Sequence, residues 1–527
     1  MIYLLHHSLE ESAKKYPHHD VLRFKKQAIT YAELSERTNQ LANFLAEQGI
    51  SRRDRVGVFL NKSIKTVIAI YGIMKAGGAY VPLDPRSPVS RLETIIHDCD
   101  IRGIISENDK LPSLEKVGNL NTPLEFVIGV TTDDTIGFRA YTWDDVAQFP
   151  ANTVPNIRQM EHDLAYVMYT SGSTGNPKGI MHTHYSGLSY VKLSADLYNV
   201  KHEDILSNHS PLHFDMSTFD YLTSLYCGAR TIIIPEAYTL FPANLSKLIQ
   251  DEAMTLWYSV PFALIQLITR GVLEQRDLSS LRWILYGGEP FPRTHLRTLM
   301  EYLPNTQVSN VYGPAEVNQC TYYTVPAPSE WTEEDSPIPL GVPFDNAEGL
   351  VINEDDNIIT DNEMGELVIR TPTMMRGYWG RPDLNAKAFY HRQVFPDYED
   401  IFYRTGDLVQ LRPDGLYDFF GRKDHQVKVR GYRVELAELD NLLASHNAIE
   451  EGSAYAVKDE AGDTIEVAVI LAEGQSINEA DLIAYLNGRL PHYAVPQKVI
   501  HMDTFPRTST GKIDRRALTQ LALDRSP

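Results

Sequence analysis

YTSGSTGNPKG, Tyr169 to Gly179, decides how this 527-residue chain reads. Eleven positions hold three glycines, four Ser/Thr hydroxyls, one proline and one lysine. The apolar run Leu164 to Met168 before it predicts a strand, and His182 to Leu197 after it predicts a helix. Glycines let main-chain N–H groups approach an anion, hydroxyls donate to it, and a helix N-terminus favours negative charge. Lys178 adds a point charge. A phosphate chain is the ligand that suits such a loop. It is not the G-x-x-x-x-G-K-[ST] nucleotide loop, because Gly179 follows the lysine where Ser or Thr would hold magnesium. Gly/Ser/Thr clusters are more often plain surface loops, but the ordered run through Pro177 and Lys178 argues against that.

Outward from the loop, short apolar strands alternate with helices. Arg55 to Leu60, AYVPLDP, IRGIIS, TIIIPE, TLWYSVP, LRWILYGGE and VSNVYGPAE are strand-like and separated by helical stretches, which predicts parallel sheets covered on both faces. After about Pro326 the texture changes. Gly341 to Ile401 predicts a β-rich subdomain, and the residues after Asp424 predict a small α+β domain. The length suggests about three to four units. Hydrophobic content of 43% and charged content of 22% are those of an ordinary soluble protein. No apolar run is long enough to cross a bilayer, and the N-terminus has no signal-peptide pattern, so the expected location is cytoplasmic. Three scattered cysteines argue against a disulfide framework or a Cys-rich zinc site. A net charge of −20 disfavours nucleic acid and anionic membrane as partners.

Five more stretches carry chemistry. Asn310 to Cys320 (NVYGPAEVNQC) puts Glu316 on a turn where it could hold magnesium, although a solvated turn glutamate is the plainer reading. Tyr286 to Pro290 (YGGEP) is a strand-end glycine turn, where open α/β sheets bind ligands. Tyr403 to Val409 (YRTGDLV) presents Asp407 on a predicted turn, placed for two ribose hydroxyls. Gly421 to Gly431 is basic, with Arg422, Lys423, Lys428, Arg430 and His425. Arg507 to Leu518 (RTSTGKIDRRAL) places Lys512 on a second Gly/Ser/Thr loop, or else on a frayed terminus.

Taken together, these stretches resemble the adenylate-forming enzymes: acyl-CoA synthetases, firefly-type luciferases and the adenylation domains of nonribosomal peptide synthetases. The resemblance runs from TYAEL (Thr30 to Leu34) and KAGGAYVPLDP (Lys75 to Pro85) to GKIDRRAL. It implies an α/β multidomain fold: two α/β subdomains plus a β-barrel-like subdomain in residues 1–423, and a small mobile α+β lid in 424–527, hinged at Asp424. It implies that Thr170, Ser171, Gly172, Ser173, Thr174, Gly175 and Lys178 hold the ATP phosphates. Gly288, Glu289, Asn310, Val311 and Tyr312 would frame the adenine, with Tyr312 stacked on it. Thr174 and Glu316 would contact Mg²⁺, and Asp407 and Arg422 the ribose. Lys512 would bridge substrate carboxylate and α-phosphate. Lid rotation would bring the loop around Lys428 and Gly431 to the thiol's tunnel. Phe419 stands where relatives often have tyrosine, and Ala315 and Val317 also depart from the usual residues.

The stretch SPLHFDMSTFD, Ser210 to Asp220, resembles the family's substrate-pocket motif. Asp215 falls where amino-acid activators pair the α-ammonium, unless it only caps a helix beginning near Met216. The implied pocket is Phe214, Asp215, Met216, Phe219, Tyr258, Leu285, Gly287, Val311, Gln319, Cys320 and Lys512, an apolar box apart from its charges and Gln319. LWYSVPFAL and the CTYY segment resemble freestanding prolyl-carrier-protein ligases, so L-proline is the first expectation. The expected activity is ATP-dependent formation of aminoacyl-AMP, then transfer to the phosphopantetheine thiol of a separate carrier protein in natural-product biosynthesis. A β-amino acid, with Asp220 serving a displaced amine, and an acyl- or aryl-CoA synthetase stay open as alternatives.

Overall fold

The computed structural model describes residues 1–132, 137–172, 176–331, 338–360, 363–424, 426–459, 462–507 and 513–525. The chain divides into two compact units. One comprises Met1–Pro85, Ile96–Tyr169 and Gly179–Lys423, the other Arg86–Ile95, Thr170–Lys178 and Asp424–Pro527.

The first unit is built on three sheets. In the nine-stranded sheet, Gln307–Tyr312, Trp283–Gly287, Leu256–Ser259, Ile205–Asn208, Arg230–Ile233 and Asp20–Phe24 run parallel as consecutive neighbours. Their apolar side chains pack under helices such as Pro242–Asp251, Pro261–Arg270 and Arg293–Tyr302. An eight-stranded sheet places Leu164–Thr170 between Ala79–Pro82 and Lys178–Thr183. The third, six-stranded sheet centres on the 14-residue strand Tyr398–Leu411, whose neighbouring strands all run antiparallel to it. These are the two α/β layers and the β-rich layer that the alternation predicts.

Two sequence expectations need correction. The glycine-rich loop feeds a strand, Lys178–Thr183, and the helix begins only at His184. Thr183 fixes that start with a capping box: its Oγ1 accepts from Ser186 N and Ser186 Oγ accepts from Thr183 N. The loop therefore has no helix N-terminus behind it. Asp407 lies inside the strand Tyr398–Leu411, not on a turn. The Thr-Gly-Asp signal marks a β-bulge: register slips between Glu366 and Val368, and Gly406 takes φ 72.

In the second unit, Gln426–Val429 and Tyr432–Glu435 form a hairpin whose two turn residues, Arg430 and Gly431, have φ 51 and 82, the left-handed pair a two-residue hairpin favours. The strands Ile449–Asp459, Gly462–Leu471 and Lys498–His501 form a sheet packed with the helices Leu436–Ala444 and Glu479–Asn487. The helix Arg515–Leu523 starts at an Asp514 cap and buries Leu518 and Ala522, so the chain on this side of Lys512 is anchored, not frayed.

Candidate active site

In the first unit, the carboxyl ends of four parallel strands bring together Asn208, Tyr258, Gly287 and Tyr312. This is the edge where open α/β sheets place ligands. Gly287 is required here: a Cβ on it would stand 2.3 Å from Val311 O. Gly288 follows with φ 91. Glu289 has one oxygen occupied by Phe262 N (3.0 Å) at the start of a helix. Asn310 Nδ2 donates to Pro339 O (2.7 Å).

Tyr312, Asp407 and Arg422 form one polar cluster. The Tyr312 hydroxyl donates to Asp407 Oδ2 (2.5 Å), and Arg422 Nη1 donates to Oδ1 (2.7 Å). Asp407 and Arg422 are direct cross-strand partners, so sheet register sets this pair. Burial and then the Asp407 charge push the Tyr312 phenol far up, so it stays a donor. The aspartate is thereby fixed, and a ribose diol would meet an oriented acceptor. Phe419 lies two cross-strand positions away, opposite Val409.

Glu316 is fully buried, which overturns the solvated-turn reading. Tyr378 OH donates to its Oε1 (2.7 Å), and its carbonyl accepts from Met375 N (2.7 Å). His182, on the strand after the glycine-rich loop, bonds Ala315 O through Nε2 (2.8 Å) and stacks on Tyr166. Burial lowers the His182 imidazolium to about 4, so the ring is neutral and Nε2–H is the donor. Gly313 lets the turn close, since a Cβ there would meet Asn318 O at 1.7 Å. Two segments thus hold the backbone of this turn, and Tyr378 also holds the carboxylate. A buried carboxylate of this kind suits a hard cation shared with phosphate oxygens.

Five of the expected pocket residues converge. Met216, Phe219, Tyr258, Leu285 and Val311 belong to one buried cluster with Tyr190, Tyr198 and Trp283. Phe219 meets Tyr258 edge-on, with centroids 5.8 Å apart. Asp215 Oδ1 accepts from the backbone N–H of the next residue, Met216 (3.0 Å). Cys320 is buried and its N–H bonds Tyr312 O. Phe214 precedes this group, its ring edge-on to His213. The stretch Phe219–Thr223 is a π-helical turn, a wide turn often kept at functional sites.

Sequence reasoning missed Lys62, Asn208 and Tyr198. Lys62 Nζ bonds the carbonyls of Asn208 and His209, and Asn208 Nδ2 bonds Asp220 Oδ2 (2.9 Å). Burial lowers Lys62 to about 8 against the pull of Asp220. Lys62 and Asn208 are 146 positions apart, and no local signal links them.

In the second unit, Ser171 Oγ donates to Arg433 O (3.0 Å), and a Cβ on Gly172 would meet Asn176 O at 2.1 Å. Lys178 is buried, Thr170 ends the strand Leu164–Thr170, and Asp424 Oδ1 accepts from Gln426 N. Ser173, Thr174, Gly175, His425 and Lys512 lie outside the described residues.

The AMP-binding enzyme family matches residues 9–379, and the AMP-binding enzyme C-terminal domain matches residues 438–512. The chain belongs to the AMP-binding enzyme family. This family member is 32% identical over 517 residues to the L-proline--[L-prolyl-carrier protein] ligase of Pseudomonas fluorescens, covering 98% of this chain and 99% of that protein. It is 33% identical over 517 residues to bacitracin synthase 1 of Bacillus licheniformis, covering 98% of this chain and 9% of that much longer protein. Among solved structures, the amide bond synthetase McbA from Marinactinospora thermotolerans superposes with a TM-score of 0.86 at 22% identity, covering 98% of this chain and 99% of that one. That likeness shows the fold. No helix among the described residues of this AMP-binding enzyme is long and apolar enough to cross a membrane.

Proposed function

We propose that this chain activates a small α-amino acid, of the proline class, as aminoacyl-AMP and passes it to the phosphopantetheine thiol of a carrier protein. The observation that carries the reading is full-length similarity, at 32% identity, to a protein named as a prolyl-carrier-protein ligase. The apolar box around Phe219 and Tyr258, with Asp215 beside it in sequence, supports a small apolar side chain and an ammonium partner.

A carboxylate attacking the α-phosphorus of ATP brings anions together, and the enzyme must offset that repulsion. Lys178, the N–H-rich loop and Lys512 are the groups assigned to it. Glu316 and Thr174 would hold Mg²⁺, which when bound would neutralise charge on the phosphate oxygens. Asp407, held by Tyr312 and Arg422, would orient the ribose and so fix the α-phosphorus for in-line attack. Pyrophosphate leaves, and a thiolate then displaces AMP from the mixed anhydride. The thiol would come from a carrier protein in nonribosomal-type natural-product synthesis, in the cytoplasm.

ATP–pyrophosphate exchange over L-proline, pipecolate, alanine, valine, β-amino acids, and fatty and aromatic acids tests the proposal. Exchange stimulated by proline-class α-amino acids is expected. Exchange with fatty or aromatic acids alone would replace this reading with an acyl- or aryl-CoA synthetase.

A further inference from the structure

The N-terminal helix Leu5–Lys15 opens with His6 and His7 and carries Glu10 one turn on. Glu10 stands at i+4 from His6 and at i+3 from His7, so one helical turn makes it a neighbour of both rings. His6 Nδ1 lies 3.0 Å from Glu10 Oε1, and the two imidazoles meet edge-on with centroids 4.7 Å apart. One ligand atom from each of the three residues lies within 4.8 Å of the other two. His7 Nδ1 is buried and has no hydrogen-bond partner among the described residues. Gln159 Nε2 lies 3.4 Å from His6 Nε2, while Gln159 Oε1 is buried and likewise without a partner among them. Solvent still reaches the group, since the His6 side chain is 8% exposed but that of Glu10 is 30% exposed. None of these residues belongs to the ATP or amino-acid site described above.

We propose that His6, His7 and Glu10 form a binding site for a divalent transition metal of the zinc class. Two imidazoles and one carboxylate are a borderline N/O donor set, which favours Zn²⁺, Ni²⁺ or Cu²⁺ over the hard cations Mg²⁺ and Ca²⁺. Zinc bonds of about 2.1 Å put tetrahedral ligand atoms about 3.4 Å apart. The His6–Glu10 pair, at 3.0 Å, is already within that reach. Three protein ligands leave a fourth position for water. The plainer arrangement is a hydrogen bond from His6 Nδ1–H to Glu10, one helical turn on. It leaves His7 Nδ1 and Gln159 Oε1 buried and unmet, which is costly. A cation on His6 Nδ1 instead moves the ring proton to Nε2, and a half-turn of the Gln159 amide offers Oε1 to it. Ligating histidines commonly donate their second N–H to a carbonyl in this way. Lys75, whose charge reaches Glu10, has its Nζ bonded to Thr38 Oγ1 (2.9 Å) and Asn39 Oδ1 (2.7 Å). His184, with its ring centroid 6.0 Å from that of His6, is not a ligand: its Nδ1 accepts from Leu5 N (3.2 Å) and so helps to seat the helix.

The test uses the whole chain, stripped with a chelator and returned to buffer containing excess Mg²⁺, which keeps hard-cation sites filled. Zn²⁺ binding is followed by calorimetry and Co²⁺ binding by its visible ligand-field absorption. Wild type should bind one equivalent of either with micromolar affinity, and Zn²⁺ should raise its thermal midpoint. His7→Gln and Glu10→Gln should each weaken binding by about 10-fold or more and abolish the Zn²⁺-dependent rise. His391→Gln, which removes an exposed histidine paired with Glu399, should bind as wild type does. If a variant does not fold, diethylpyrocarbonate labelling of wild type replaces it, and Zn²⁺ should protect His6 and His7. The proposal is overturned if wild type binds no saturable equivalent below millimolar Zn²⁺. It is equally overturned by an equivalent that both variants retain, or by labelling of His6 and His7 that Zn²⁺ leaves unchanged.

Discussion

Removing one ribose hydroxyl and one carboxylate charge, singly and together, measures what Asp407 does. Asp407 is 5% exposed, with both oxygens engaged, by Tyr312 and by Arg422. A hydrogen bond to such a charged acceptor is worth about 1.5–3 kcal/mol. At about 1.4 kcal/mol per factor of ten, 2′- or 3′-deoxy-ATP should lose about 10- to 150-fold in kcat/KM with wild-type protein. Asp407→Asn keeps the shape and the Arg422-facing oxygen but loses the charge, and neutral hydrogen bonds are about half as strong. The deoxy penalty should then shrink to about 3- to 12-fold, with ATP itself bound more weakly. The assay is exchange with ATP and the two deoxynucleotides, each titrated against both proteins. Thermal unfolding of both checks that the sheet register survives. Equal use of ATP and deoxy-ATP by wild type would refute the reasoning. So would a deoxy penalty that Asp407→Asn leaves unchanged, since then the aspartate would only pin Tyr312 and Arg422.

Asp215→Ala should abolish amino-acid-stimulated exchange while calorimetric ATP binding stays within about 3-fold, because a lone ammonium in an apolar box is strongly disfavoured. Unchanged kinetics would show that Asp215 does not hold the α-ammonium. Gly287→Ala forces a Cβ to within 2.3 Å of Val311 O, so the neighbouring strands must shift, at a cost of about 1–3 kcal/mol. Amino-acid KM should rise more than ATP KM, and a wild-type KM would show that the strand ends do not form the box. Asp163 tests stability against pH. Burial pushes its carboxyl up, but hydrogen bonds from Arg52, Met160 N and Arg53 outweigh this and hold it at about 2. A depressed carboxyl stabilises the fold above its unfolded value of about 4, by about 2 kcal/mol, and that contribution is lost as pH falls towards 2. Asp163→Asn should lower the thermal midpoint by a constant amount above about pH 5, with the deficit shrinking below about pH 4. A deficit that is independent of pH throughout would assign the loss to packing.

The parallel sheets were legible because unbroken apolar strands alternated with helices. Local propensity could not tell that Lys178–Thr183 is a strand. Its edge partner, Gly377–Tyr378, comes about two hundred positions later. Thr-Gly-Asp read as a turn because a turn and a glycine bulge demand the same left-handed residue. Only the pairing with Glu366 and Arg422 separates the two. The burial of Glu316 was likewise illegible, since Tyr378 and Met375 come from a segment that nothing in the turn's own sequence announces.

Asp220 bears on the remaining choice between α- and β-amino acids. A displaced β-ammonium would need an ionised partner at this position. The Asp220 side chain is fully buried, and burial raises its carboxyl well above the usual range against the opposing pull of Asn208 and Lys62. A carboxyl with a raised pKa is a poor counter-ion at neutral pH, and its occupied oxygen already braces Asn208, whose Oδ1 takes the Tyr221 hydroxyl (2.5 Å). On this reading Asp220 braces Asn208, and the α-ammonium is left to Asp215. On that logic Asp220→Asn, which keeps the shape of the side chain, should keep kcat/KM for α-amino acids within about 3-fold, and β-amino acids should be poor substrates of both proteins. Loss of exchange by more than about 10-fold in a variant with an unchanged thermal midpoint would mean that the carboxylate is ionised and faces the substrate. β-Amino acids would then become the first choice.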